Sequence, residues 1–467
     1  MNAPTEVPES LEAAPAPIVN NPFARRVSGV FATQLVQFAL AFATSILLRR
    51  VLEQSDLGAY VAASTLPGVL STLGMFGLPT AVNYFAGKGH SVASLMKVAF
   101  VCTAALSVVL IAIVWLALPG LETSFLSALN GHDVVARVML LSLPLSVLTA
   151  FGGSILYGRQ EVRVYNFVLM AQAGASLLSA VVLVGVLRLG LAGAVAGSVL
   201  VTSLTTLAVM ETVRRLKNRD RSGQPAGSRA LASYGLRIYP ASLSGYFNYR
   251  ADTYLIQALL LSPAKALAQY STAVTMAELV FYVPNSIGTI FLPRVAGSRP
   301  EDANRMLGRV ARLSTLITVC LALALAPTAV IGIHLVLPKY VDCLPAFFVL
   351  LPAVVSLSLA KIMTSYISGR GRAGLVSSAI TVALVLNVAL NLILIPRFGI
   401  VGASLASVAS YSAHAALTLA IASRLSGQSP LSLFVPGRAE VVLLFTGLGR
   451  LLGQMPLVGK HRFGGTS

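Results

Sequence analysis

The chain has 467 residues, 56% of them hydrophobic and 11% charged, which is more apolar side chain than the surface and core of a water-soluble protein would hold. That excludes a soluble enzyme and predicts an all-α polytopic membrane protein. A net charge of +18 would suit nucleic acid, but the Lys and Arg residues crowd into alternate loops, which excludes nucleic acid as a partner and matches the positive-inside rule with both termini cytoplasmic. Residues 1–24, Pro- and Ala-rich with Glu6, Glu9 and Glu12, lack the basic-then-apolar order of a signal peptide. They are expected to form a disordered cytoplasmic tail, with the first helix inserting uncleaved.

Twelve apolar runs follow, at 27–48, 58–85, 93–118, 134–157, 164–187, 189–212, 234–260, 267–292, 310–335, 344–366, 374–395 and 398–423. Each has about the 20 residues that a helix needs to cross a hydrocarbon core of about 30 Å. A spanning β-barrel would need alternating segments half that long. The runs divide into an N-lobe (25–213), a basic cytoplasmic linker (214–232) and a C-lobe (233–424). Residues 425–467 form a cytoplasmic tail in which 440–452, too short to span, are read as a surface-lying helix. The stretch 213–237 carries Arg214, Arg215, Lys217, Arg219, Arg221, Arg229 and Arg237, read as fixing topology and meeting anionic lipid headgroups.

The halves repeat one another. Leu57-Gly58-Ala59-Tyr60 recurs as Leu267-Ala268-Gln269-Tyr270, Gly158-Arg159 as Gly369-Arg370, and Arg188-Leu189-Gly190 with Gly193-Ala194 as Arg397-Phe398-Gly399 with Gly402-Ala403, at offsets of 210, 211 and 209 residues. A shift that regular predicts two pseudo-symmetric six-helix lobes in parallel duplication, a common plan for alternating-access carriers.

Nothing in the chain reads as an enzyme. The longest outside loop, 119–133, holds Glu122 and Asp133, which read as solvated loop charge rather than a catalytic pair. There is no Gly-x-x-x-x-Gly-Lys-[Ser/Thr] sequence for nucleotide phosphates. The cysteines Cys102, Cys320 and Cys343 and the histidines His90, His132, His334, His414 and His461 are scattered and without metal-ligand spacing. No cofactor or metal is implied, and any work must come from an H+ or Na+ gradient or from the substrate's own gradient.

Polar chemistry concentrates in the seventh and eighth runs. Tyr246, Tyr249, Arg250, Thr253 and Gln257 follow the i, i+3, i+4, i+7, i+11 order of one helix face. Arg250 lies thirteen residues beyond Arg237, about 20 Å along a helix, at a depth where an arginine costs at least about 2.5 kcal/mol and should face a cavity or a partner. One reading is an internal arginine–acid bridge that pins helices. Asp252 is about 200° around the helix from Arg250, poorly placed to neutralise it, and shares the opposite face with Asn248. The other reading is an anion contact, because the planar guanidinium fork matches phosphate oxygens and the flanking tyrosines can stack on sugar rings. In the eighth run Ser271, Thr275, Glu278, Tyr282 and Asn285 form a second one-face stripe. Glu278 near mid-membrane is read either as a site of H+ or Na+ coupling or as a partner for Arg250.

Elsewhere the polar residues have blander readings. Thr33, Gln34, Gln37 and Thr44 in the first run, and Ser64, Ser71, Thr72 and Asn83 in the second, either line a cavity or hydrogen-bond helices together. Asn387 and Asn391 are expected to bond to neighbouring helices, and Lys361 to snorkel to water. Pro67, Pro79, Pro144, Pro240, Pro284 and Pro352 mark points where helices can kink.

Asn21-Pro22-Phe23-Ala24-Arg25-Arg26, Leu57-Gly58-Ala59-Tyr60 leading to Leu73-Gly74-Met75-Phe76-Gly77-Leu78-Pro79-Thr80-Ala81, Asn248-Tyr249-Arg250-Ala251-Asp252 and Gly399-Ile400-Val401-Gly402-Ala403, in that order, resemble the Wzx-type flippases. These form the polysaccharide-transporter branch of the multidrug/oligosaccharidyl-lipid/polysaccharide (MOP, MATE-like) exporter superfamily. The likeness covers about 25–425. It implies a central cavity lined by helices one, two, seven and eight, and translocation of undecaprenyl-diphosphate-linked oligosaccharide across the bacterial cytoplasmic membrane by alternating access. Arg250, Tyr246, Tyr249, Thr253, Gln257, Gln34, Gln37 and Asn83 are the substrate-contact expectations, and Asp252, Glu278 and Asn285 the ion-coupling ones. A polysaccharide polymerase or export complex is the expected protein partner. The rival readings are a drug or metabolite antiporter of the same superfamily, whose cavity should be acidic, and a non-transporting scaffold of a polysaccharide-assembly complex.

Overall fold

The computed structural model describes residues 22–122, 129, 133–220, 224–438 and 440–442, and among them there are helices and no strand. Among the described residues, nine helical stretches are long and apolar enough to cross a membrane. One of them, α13 (Ala373–Ser426), contains two spans. Asn387 and Ser410 are 23 residues apart, about 34 Å along a straight helix, yet their side chains are 3.1 Å apart in a hydrogen bond. The chain therefore reverses at Gly399, whose φ of 59° and ψ of −135° only glycine adopts readily. With α1 (Pro22–Val51) and the polar α9 (Ser228–Leu259), the expected twelve spans are present.

Two predicted spans are broken. The run at 58–85 is α2 (Gln54–Gly74) and α3 (Leu78–Gly87), with Phe76 and Gly77 between them at φ 46° and 70°. Gly77 sits where a β-carbon would lie 2.4 Å from the Gly235 carbonyl oxygen of α9, so this turn is one close approach of the halves, as is Gly58 of α2, where a β-carbon would lie 2.0 Å from the Ala264 carbonyl oxygen. The run at 134–157 is α5 (Asp133–Leu140) and α6 (Ser142–Gly158). Between these, α4 spans Val92–Glu122. The fifth span is α7 (Val162–Ser179) continued by a wider π-helical stretch (Ala180–Val186), and the sixth is α8 (Gly190–Arg219).

The predicted basic linker is mostly helix: Arg214, Arg215, Lys217 and Arg219 lie on α8, while Arg229 and Arg237 lie on α9. Hydropathy marks where apolar side chains stop, not where the backbone helix stops. Lys and Arg are good helix formers and suit a helix C-terminus. The second half continues with α10 (Pro263–Ala296), α11 (Pro300–Val336), a 3-10 turn (Pro338–Cys343), α12 (Leu344–Gly369), α13 and the short α14 (Pro430–Phe434). Of the surface-lying helix expected at 440–452, residues 443–452 lie outside the described residues.

Helices α1–α8 pack among themselves, as do α9–α14, and the halves meet mainly where α2 runs against α9 and α10 and α3 against α9. The repeat read in the sequence is physical. A β-carbon on Gly158 would lie 2.4 Å from the Asn83 oxygen and 2.6 Å from Ala86 Cβ, and one on Gly369 would lie 2.9 Å from the Leu292 oxygen and 2.8 Å from Val295 Cβ. Arg159 donates to the His90 carbonyl and Arg370 to that of Pro300. Each pair of partners is separated by the same 209 or 210 residues, so the two glycines are the close-packing points of equivalent helix pairs. Asn391 donates to Asn387, and Asn387 to Ser410 in the returning arm.

Candidate functional site

Two cavities flank the seam between the halves. The first, of about 480 Å³, is walled by α9, α10, α12 and the second arm of α13. Tyr246, Tyr249, Arg250 and Asp252 reach it from α9, and Tyr270, Glu278, Tyr282 and Asn285 from α10. Arg250 and Glu278 are exposed to its interior although protein surrounds them. Among the described residues Arg250 makes no hydrogen bond and no ion pair within 4 Å, so neither the helix-pinning bridge nor a contact with Glu278 is formed. Its guanidinium donors are unspent among the described residues and open to the cavity.

Asp252 is placed differently. It is 7% exposed, its Oδ2 accepts from the Tyr270 hydroxyl and its Oδ1 from the Thr253 amide at 2.8 Å. The sequence put Asp252 on the face away from Arg250, yet both touch one cavity because the wall curves around α9. The cavity is therefore not simply cationic, since two carboxylates share the wall with one guanidinium.

Thr253 and Gln257 do not line the cavity; they are 7% and 1% exposed, and Gln257 donates to the Thr253 carbonyl. Helical periodicity gives the direction of a side chain but not what covers it. At their level the neighbouring Tyr254 reaches the Thr65 carbonyl of α2, 3.2 Å away, where the halves are in contact. Tyr246 packs over Gly68 of α2, whose added β-carbon would lie 2.9 Å from the tyrosine oxygen.

The second cavity, about 500 Å³, lies against the first half and is lined by α1, α2 and α7 together with Tyr282 and Asn285 of α10. These two residues belong to both cavities. Gln37 lines it, the Gln34 side chain lies outside the described residues, and Asn83 is away from both cavities in α3 beside Gly158.

Arg49 was missed by sequence reasoning. It follows the predicted span 27–48 and reads as a loop charge, yet it is only 7% exposed. From α1 its guanidinium crosses to the other half, donating to Thr272 Oγ1 (2.8 Å), the Ser271 carbonyl (3.1 Å) and Thr275 Oγ1 (3.1 Å). It also bonds Ser45 of its own helix. Ser271 and Thr275, the first members of the α10 stripe, thus take part in a contact between halves, while Glu278 lines the first cavity and Tyr282 and Asn285 line both. The available signal was the Arg49-Arg50 pair, since adjacent helical residues point about 100° apart and cannot both face water at a packed helix end. Lys361 is half-buried, its side chain against Gly288.

Comparison with known proteins matches this arrangement. An inward-facing multidrug resistance MATE family transporter of the MOP superfamily superposes with a TM-score of 0.63 at 15% identity over 84% of this chain and 95% of that one. An outward-facing form gives 0.61 at 15% over 88% and 97%. A MOP superfamily transporter from Pyrococcus furiosus Vc1, described by a reverse polarity of its binding pocket that suggests a different function, gives 0.58 at 16% over 88% and 95%. At such identities the likeness establishes the fold alone. The uncharacterized membrane protein MJ1068 of Methanocaldococcus jannaschii is 28% identical over 194 residues, 39% of this chain and 37% of its own length, so the match spans little more than a third of that relative. A family model described as polysaccharide biosynthesis protein matches residues 23–299, more than half of the sequence, and the chain therefore belongs to the polysaccharide biosynthesis protein family, built on the fold of the MOP superfamily transporters.

Proposed function

We propose that the protein is a flippase that moves a polyprenyl-diphosphate-linked oligosaccharide across the bacterial cytoplasmic membrane by alternating access, with both termini and the basic ends of α8 and α9 on the cytoplasmic side. The observation that carries this reading is the Arg250 guanidinium, open to an interior cavity and without an ion-pair partner among the described residues. A diphosphate supplies the oxygens that its fork is built to hold, and Tyr246 and Tyr249 stand beside it. The prenyl chain stays in lipid, so only the headgroup needs a polar path. The family's description as a polysaccharide biosynthesis protein supports a glycan as cargo.

Asp252 and Glu278 would repel a diphosphate at Arg250 unless a proton or Na+ is bound with them. The geometry therefore favours coupling in which a cation and the anionic headgroup occupy the cavity together. Asn285, on the boundary between the two cavities, is positioned to sense both. The same two carboxylates favour a second reading, a drug or metabolite antiporter whose cationic substrate takes the cavity instead.

Proteoliposomes carrying a labelled polyprenyl-diphosphate-linked glycan test the assignment. Wild-type protein should move the label between leaflets, and Arg250→Ala should abolish movement at unchanged protein level. Export of cationic dyes without glycan movement would transfer the assignment to the antiporter. Movement of neither would leave a scaffold for a polysaccharide polymerase or export complex.

A further inference from the structure

The two halves are duplicates, yet their cavities differ in chemistry. By the 210-residue offset the positions of Arg250, Asp252 and Glu278 are taken in the first half by Leu40, Phe42 and Gly68. The cavity of the first half is accordingly lined without any Asp, Glu, Lys, Arg or His. It is not apolar, however. Gln37, Thr44, Tyr60, Gln172 and Ser176 supply amides and hydroxyls, and Phe38 supplies a ring. The Tyr60 hydroxyl is spent on Ser198 at 2.7 Å, and Thr44 on the Leu40 carbonyl at 2.9 Å. Gln37 and Gln172 make no hydrogen bond within the described residues, although each is half-buried. Half-buried primary amides left unspent inside a membrane protein are costly unless something polar meets them.

We propose that this neutral cavity is the glycan subsite, with Gln37 and Gln172 as its specificity-determining contacts, while the neighbouring cavity with Arg250 takes the diphosphate. The proposal rests on the flippase reading and adds a division of the headgroup between the halves. Each amide offers both donors and an acceptor, the combination that sugar hydroxyls require. Tyr60 and the mutually packed rings of Phe38 and Tyr282, 4.2 Å apart at their centroids, give this cavity an aromatic wall for the apolar side of a pyranose. A cavity of about 500 Å³ is within the range of small-molecule sites. Tyr282 and Asn285 border both cavities, so the sugar–diphosphate linkage would lie across them and one headgroup would touch both lobes. Closure of the lobes around it then depends on the sugar as well as on the charge.

Binding in nanodiscs to two probes tests this, namely a bare polyprenyl diphosphate and the same carrier bearing a disaccharide. The wild-type protein should bind the glycosylated probe more tightly. Gln37→Ala combined with Gln172→Met, the latter keeping volume and removing the polar atoms, should erase that difference, a loss of at least about tenfold for two neutral hydrogen-bonding groups. It should leave the bare carrier's affinity unchanged, and that affinity also reports that the variant is folded. Arg250→Ala should weaken both probes alike. Wild-type protein that binds both probes equally, or a double variant that weakens both equally, overturns the glycan subsite and leaves the flippase reading standing. Wild-type protein that binds neither probe overturns both.

Discussion

The Tyr270 hydroxyl donates to Oδ2 of Asp252, tying α10 to α9 within the wall that presents Arg250. Its repeat partner Tyr60 sits at the matching place in the first half, where the hydroxyl meets Ser198, and Tyr270 also reaches Ser407, the position equivalent to Ser198. Duplication kept the tyrosine and the serine and set a carboxylate beside only one of the pairs. Tyr270→Phe strips a donor from a buried acid and should cost about 1–3 kcal/mol of stability, whereas Tyr60→Phe, which leaves a neutral hydroxyl, should cost about 1 kcal/mol or less. Unfolding midpoints in detergent compare the two, and equal losses would contradict this ranking.

The packing glycines give a second test. A methyl group at Gly158 meets a backbone oxygen at 2.4 Å, and one at Gly369 meets its nearest backbone oxygen at 2.9 Å. A backbone carbonyl cannot rotate away, so Gly158→Ala should force α6 off α3 and cost about 1–3 kcal/mol. Gly369→Ala should cost less, because its tightest contacts, Val295 Cβ and Cγ1 at 2.8 Å and the Leu292 oxygen at 2.9 Å, are looser than the 2.4 and 2.6 Å met at Gly158. Thermal stability of the two purified variants reads the order directly.

Those glycines also show what the sequence could reveal. Gly158-Arg159 and Gly369-Arg370 were visible as a repeat because close packing leaves one residue type at the contact, and spacing survives where composition drifts. The polar seventh helix was visible because a guanidinium in an apolar run has few explanations. The depth of burial along one face was not legible: Thr253 and Gln257 share the direction of Arg250, but the lobe contact that covers them is set by α2, far away in the chain. Arg49 escaped because hydropathy assigns a terminal arginine to water, and Gln172 because a single amide in an apolar run carries no pattern. The broken second span was hidden because Phe76-Gly77 interrupts the backbone without interrupting hydrophobicity.

Arg49 predicts how one end of the seam is held. Its guanidinium spends three donors on α10, and at the same end Gln54 of α2 and Gln269 of α10 both donate to the Lys339 carbonyl. Loss of several such bonds, each about 0.5–1.5 kcal/mol, should ease opening at that end by roughly tenfold or more. Cys343, fully buried beside it, is the reporter. In a Cys102→Ser, Cys320→Ser background, Arg49→Ala should raise its maleimide reactivity by that factor. Arg49→Lys should be intermediate, because an ammonium cannot reproduce the fork. Unchanged reactivity would show that the latch lies elsewhere.

Glu440, outside the spans, makes a pH-sensitive contact with Arg312 near one end of α11. Glu440 accepts from Arg312 at 2.8 Å and from the Gly437 amide at 2.9 Å, and the Arg312 hydrogen bond holds its carboxyl below the usual carboxylate range. A depressed folded value means that the stabilisation is present above the unfolded value of about 4.3 and is lost as pH falls through the folded one. Hydrogen exchange over Val435–Val442, corrected for intrinsic rate, should stay slow from neutral pH down to about 5 and quicken below about 4. Glu440→Gln should exchange faster at neutral pH by roughly fivefold, about 1 kcal/mol for a partly exposed pair, and should show no step on acidification.

Arg250 and Glu278 face one cavity without touching, and that spacing decides between the two transport readings. If the cavity takes a diphosphate, Glu278 opposes it, and Glu278→Gln should tighten binding of inorganic pyrophosphate by about 1–2 kcal/mol, roughly five- to thirtyfold. Arg250→Ala should remove that binding, and in the double variant the gain from Glu278→Gln should vanish with it, because both effects act through the same bound anion. Titration calorimetry on the four proteins closes this cycle. If the cavity takes a cationic substrate instead, the signs invert: Glu278→Gln loses dye binding, Arg250→Ala gains it, and pyrophosphate affinity is indifferent to both. A carboxylate and a guanidinium already neutralised by each other would respond in neither way, so the unpaired state of the two groups is what gives the experiment its sign.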